Sequence, residues 1–138
     1  MKKLLLGGLI TSLLSFAVIA APKANKTIEP GLYHAVDIDS GTIKAQLQMN
    51  ADSTVQFKVQ APDFEMPEPG CSGTYTVTGT TLSAVMTCPL TILPEASVKI
   101  DISTVTPQSV RSEQGAIVPV MIDGLTDEPA NFSLKIVE

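Results

Sequence analysis

Apolar and polar residues alternate with period two over most of the chain. Ile43, Ala45, Leu47 and Met49 alternate with Lys44, Gln46, Gln48 and Asn50, and Val55, Phe57 and Val59 alternate with Gln56, Lys58 and Gln60. Successive side chains of a strand point to opposite faces, so each run predicts a strand with one face buried. Matching the two apolar faces demands an odd loop between them, such as Asn50-Ala51-Asp52, because a slip of one residue turns one strand inside out. Gly31–Asp37 reads as a preceding strand, and Asp39-Ser40-Gly41 as the turn after it. Val98, Ile100 and Ile102, then Ile117–Ile122, then Phe132, Leu134 and Ile136 give three more strands. Pro119 demotes the second of these to an edge or a bulge, because proline lacks a ladder donor.

Residues 71–88, C-S-G-T-Y-T-V-T-G-T-T-L-S-A-V-M-T-C, predict a hairpin with its turn at Gly79-Thr80. Thr78 then faces Thr81, and counting outward residue by residue brings Cys71 opposite Cys88. Val77/Leu82, Tyr75/Ala84 and Gly73/Met86 share the cysteine face, while the other face is mostly hydroxylic. The ladder makes the cysteine pair a non-hydrogen-bonded one, where side chains approach most closely, and this suits a disulfide. A redox pair or a metal site is the alternative for two cysteines, but the spacing is not C-x-x-C and no second ligand pair exists.

Residues 61–70, A-P-D-F-E-M-P-E-P-G, break the alternation with three prolines and three acids and cannot be a sheet-centre strand. Pro89 and Pro94 bracket a short connection containing Leu90, Ile92 and Leu93. Residues 106–115 allow a helix capped by Thr106 and ended by Gly115, but Val110 is the one apolar residue inside, so an extended segment turning at Glu113-Gln114-Gly115 is expected. The pattern amounts to about eight short strands and no convincing helix, the signature of an all-β fold, a small antiparallel barrel or sandwich.

The amino terminus changes the compartment. Lys2 and Lys3 precede the apolar run Leu4–Ile19, which ends in the small-residue site Val18-Ile19-Ala20. This reads as a secretory signal peptide over residues 1–20, cleaved after Ala20, followed by a flexible lead-in at 21–30 and a single domain at 31–138. The run is too short for a spanning helix, so no stable membrane insertion is expected after cleavage. Export places the chain in the periplasm or outside the cell, where the cysteine pair is expected as a structural disulfide. Without Lys2 and Lys3, seven of the nine basic residues face all fourteen acidic ones, a balance that argues against nucleic acid as a partner.

Candidate chemistry is sparse. His34 is the one histidine, on a strand between Tyr33 and Ala35, with no G-x-S-x-G elbow to accompany a nucleophile. Asp37 with Asp39, and Asp123 with Asp127 and Glu128, are the carboxylate groupings, and neither has the spacing of a calcium loop. No catalytic, metal or cofactor site is expected. The 61–70 loop carries Phe64 and Met66, which either dock a partner or fold back to plug one end of the barrel. Met49, Phe57, Tyr75, Met86, Ile100 and Phe132 fall on inward faces, where they either line a cavity or fill the core.

The order Gly31-x-Tyr33, Leu47-x-Met49 with Asp52-Ser53-Thr54, then Cys71-Ser72-Gly73-x-Tyr75 with Gly79-x-x-Leu82, resembles lipocalin-like domains of small exported bacterial proteins over residues 31–88. Lipocalins carry G-x-W where this chain has Gly31-Leu32-Tyr33, and the chain has no tryptophan. The resemblance implies an up-and-down barrel and a non-enzymatic function. The expected partner is a small apolar ligand inside the barrel, with Tyr75 and Met86 among its contacts. The alternative is an interaction or inhibitor protein that sets the 61–70 loop, through Phe64 and Met66, against another exported protein.

Overall fold

A computed structural model describes residues 25–90, 94–123 and 126–138, with the Glu65 side chain left aside. The expected signal peptide and cleavage site, the start of the lead-in, and Ile92 and Leu93 lie outside the described residues. Nine strands follow one another: β1 Gly31–Asp37, β2 Ile43–Met49, β3 Thr54–Ala61, β4 Phe64–Glu65, β5 Cys71–Thr78, β6 Thr81–Thr87, β7 Glu95–Asp101, β8 Ala116–Ile122 and β9 Ala130–Val137. All pairings are antiparallel. β4 is a two-residue strand laid on the end of β3, and the other eight close into a barrel in which β1 pairs with both β2 and β9 and β2 also pairs with β3.

The registers follow from the alternation. Leu47 faces Phe57 and Met49 faces Val55, so the apolar faces of β2 and β3 coincide. Asp52 holds the turn between them, its Oδ1 accepting from the Thr54 amide at 3.1 Å and from the Thr54 hydroxyl at 2.6 Å. Across β5 and β6, Thr78 faces Thr81 and Ser72 faces Thr87, as the turn at Gly79-Thr80 requires. Cys71 and Cys88 form a disulfide with their Cα atoms 4.0 Å apart. Gly73 sits where β6 passes closest: a Cβ there would lie 2.0 Å from the Val85 carbonyl oxygen.

Two expectations are corrected. Pro119 marks neither an edge nor a bulge, because β8 lies between β7 and β9. Its ladder with β9 runs through Pro119, opposite Asn131, whereas its ladder with β7 stops at Val120. The missing donor thus shortens one ladder instead of ending the sheet. The chain after β7 covers the bared stretch, and the Thr104 hydroxyl donates to the Ile117 carbonyl at 2.8 Å. The second correction concerns residues 106–115, which contain a single 3-10 turn at Ser109–Arg111. Thr106 Oγ1 accepts from the Ser109 amide at 2.9 Å, while Ser109 Oγ accepts from the Thr106 amide at 2.8 Å. A lone Val110 suffices here because the turn lies across the barrel's end and inserts that one side chain, which is buried.

The two ends of the barrel differ. At the lower end Tyr33, Met49, Val55 and Leu82 meet Ile102, Val105 and Val110 from the chain between β7 and β8, all buried in one cluster. Residues 25–30 carry no strand but cross this end. The Asn25 side chain accepts from the Gly79 amide at 2.8 Å, and the Lys26 amide donates to the Gly79 carbonyl at 2.8 Å. On the far side Glu29 receives both terminal nitrogens of Arg111, each at 2.8 Å, and Arg111 also contacts Glu138. Arg111 holds the Glu29 carboxyl below the usual carboxylate range. These contacts tie down a segment that composition alone reads as a flexible lead-in. Burial pushes the Tyr33 phenol up to about 12, and its hydroxyl donates to the Glu29 carbonyl.

Two outcomes follow. Replacing both cysteines by serine should lower the unfolding free energy by ~3 kcal/mol through the lost loop constraint, read as a lower urea midpoint; an unchanged midpoint would show the bridge to be dispensable. Tyr33 keeps its proton in the fold where the unfolded chain gives it up, so its contribution is full below pH 10 and lost as pH rises from 10 to about 12. Alkaline unfolding curves should therefore fall more steeply for the natural chain than for Tyr33→Phe, and identical slopes would refute the assignment.

Candidate functional site

The upper half of the barrel is hollow. A cavity of about 520 Å³ opens at the end that carries the β1–β2, β3–β4 and β8–β9 connections. Its inner wall is Leu47, Phe57, Ile100, Val118, Phe132 and Leu134. Nearer the mouth stand Val59, Ala61, Val120 and Ile122. It exists because several facing positions are small: Ala35, Ala45 and Ala61 project where larger side chains would meet across the axis. Below it, the long side chains Tyr33 and Met49 and the plug from residues 102–110 are buried against the rest of the core.

Every strand of the wall contributes except those of the disulfide hairpin, because none of the lining residues belongs to β5 or β6. Three of the inward residues expected from sequence, Phe57, Ile100 and Phe132, border the cavity. The others do not. Met49 packs in the lower cluster, and half-buried Tyr75 reaches toward the β2–β3 turn, its hydroxyl donating to the Asn50 carbonyl at 3.4 Å. Met86, on β6 of the disulfide hairpin, is buried in the core opposite Ala96 of β7. The two contacts named from the inferred interior, Tyr75 and Met86, thus belong to the packed part of the barrel.

The 61–70 loop separates its two apolar residues. Phe64, on β4 opposite Ala61, is 41% exposed, whereas Met66 is 4% exposed and joins the core. Lys58 pairs with Glu68 and fastens the loop to β3. Gly70 lets the loop lie against β3, since a Cβ there would meet the Phe57 carbonyl oxygen at 2.6 Å.

The mouth of the cavity is polar. Asp37, Lys44, Gln60 and Thr126 border it. Asp37 Oδ2 accepts from the Ser40 hydroxyl at 2.6 Å and the Ser40 amide at 3.0 Å, and these bonds, with the nearby Lys44 charge, hold its carboxyl below the usual range. Thr126 Oγ1 accepts from the Ile122 amide at 2.9 Å, fixing the β8–β9 connection over the rim. Lys44 is a group that alternation alone places outside. Ala35 pairs with Ala45 but Val36 pairs with Ile43, so Lys44 is the extra residue of a β-bulge and turns to the cavity mouth.

Other candidate chemistry stays apart. His34 stands on the outer face between Gln46 and Lys135. Among the described residues no group of three His, Cys, Asp or Glu side chains is placed to hold a metal ion, and no helix is long and apolar enough to cross a membrane. A larger, open recess of about 860 Å³ lies at the lower end between residues 27–30 and 105–111, with Tyr33, Val105 and Val110 on its inner side, and its charged groups, Glu29 and Arg111, are bonded to each other. No protein-family model matches the sequence, and neither curated proteins nor solved structures provide a match.

Phe64→Ala should change stability by less than ~0.5 kcal/mol, as surface positions do, while Met66→Ala should cost about 2–5 kcal/mol through the cavity it leaves. Chemical denaturation of the two variants checks the division, and equal losses would contradict it.

Proposed function

We propose that this protein is a non-enzymatic, exported binding protein, lipocalin-like in architecture, that holds a small apolar ligand in the upper half of its barrel. The observation that carries this reading is the open cavity of about 520 Å³ with an aliphatic and aromatic wall and polar groups confined to its mouth. Small-molecule sites are of this size, are mostly apolar, and use few polar groups to orient the ligand. The disulfide supports a place outside the reducing cytosol, in the periplasm or beyond it. An apolar molecule that dissolves poorly in water is the kind of cargo for which a walled calyx is useful.

A second reading sets the 61–70 loop against another exported protein. Exposed Phe64 on the proline-stiffened β4 turn favours it, with Met66 serving as the anchor beneath and not as a contact. In that case Phe64→Ala abolishes partner binding and leaves the cavity unaffected.

The cavity reading is tested by filling the space. Ala45 faces the void from β2, so Ala45→Phe should occupy it without displacing a packed neighbour. A neutral apolar dye such as Nile red should bind the natural chain and lose at least about ten-fold in affinity for the variant, with the melting temperature maintained. Equal dye binding by both proteins would place the dye elsewhere and overturn the reading.

A further inference from the structure

The mouth of the cavity adds chemistry that its wall does not. Lys44 is placed there by the β2 bulge, and among the described residues its ammonium makes no hydrogen bond or ion pair. The position one step beyond the Ala45–Val59 pair on β3 is Gln60, which borders the same cavity. Its side chain turns to the outer face, where its Oε1 accepts from Gln46 Nε2 at 3.1 Å, so it supplies no head-group contact inside the mouth. Asp37 and Thr126, the remaining polar groups of the mouth, are each engaged in holding a turn. The free polar group on the β2–β3 side of the mouth is therefore the Lys44 ammonium, a positive charge above an apolar shaft.

We infer that the ligand is an amphiphile with an aliphatic tail and an anionic head, a monocarboxylate being the simplest, with the tail among Phe57, Val118 and Phe132 and the head at Lys44. The inference rests on the cavity being a binding site. It adds the polarity of the ligand and the direction in which it enters, tail first. A bond between an ammonium and a carboxylate is roughly twice as strong as a neutral one, and its strength rises where the tail has already displaced water from the mouth. Asp37 opposes an anion at the same mouth, but its carboxylate is turned to Ser40 in the β1–β2 connection. The Lys44 ammonium then sets the preference, and a cationic head would have to take Asp37 from its turn.

Three probes with one tail separate the possibilities: dodecanoate, dodecanol and dodecylammonium, each titrated calorimetrically at pH 7 below its micellar concentration. Dodecanoate should bind at least about ten-fold more tightly than dodecanol, and Lys44→Gln should reduce that ratio toward unity. Equal affinity for dodecanoate and dodecanol overturns the head-group assignment while the cavity reading stands. Tighter binding of dodecylammonium overturns it in favour of Asp37. Failure of all three probes to bind overturns the cavity reading together with the inference built on it. Dodecanoate binding that Lys44→Gln leaves unchanged removes Lys44 from the site.

Discussion

The ladder between β1 and β9 joins the first strand to the last, from Leu32 opposite Val137 to Asp37 opposite Phe132. Closure removes the exposed edges that an open sheet would offer to other chains. It also fixes the interior width, since strand number sets barrel diameter. Eight strands enclose a space that side chains can just fill, and whether it is filled depends on the residues present at each height. Below, Tyr33, Met49 and Leu82 meet the inserted Ile102, Val105 and Val110 and fill it. Above, alanines and valines of five strands fail to meet, and a cavity remains.

Stability and function are thus divided along the axis. The lower end is held by contacts between distant segments: Asn25 and Lys26 on the Gly79 turn, Arg111 on Glu29 and Glu138, and the chain after β7 on β8. The disulfide hairpin stiffens one side of the wall and takes no part in lining the cavity. The upper end keeps an open mouth bordered by Asp37, Lys44 and Thr126. Loops on a rigid scaffold are where recognition concentrates, and here the scaffold is braced at the opposite end from the opening.

Much of this was readable from the residues. Thr78 facing Thr81 and Ser72 facing Thr87 follow from the Gly79-Thr80 turn and the matched cysteines, and the β2–β3 register follows from the requirement that Leu47 and Phe57 share a face. Alternation tells which side chains point inward, but it does not tell which inward side chains reach one another across a barrel. Ala35, Ala45 and Ala61 read as ordinary inward positions, and only barrel closure, which sets them around one space, makes them part of a void. Val110 reads as too little to bury, because a helix needs a stripe whereas a plug needs one side chain. Lys44 sits in a regular run between Ile43 and Ala45, and nothing in that run signals the bulge that turns it to the mouth.

The claim on which the rest depends is that the barrel is packed below and empty above. A crystal of the ligand-free protein pressurised with xenon tests it directly, because xenon enters apolar cavities and scatters strongly. Xenon is expected between Phe57, Val118 and Phe132 and not among Met49, Leu82 and Ile102. Side chains meeting across the upper half with no xenon between them would contradict it.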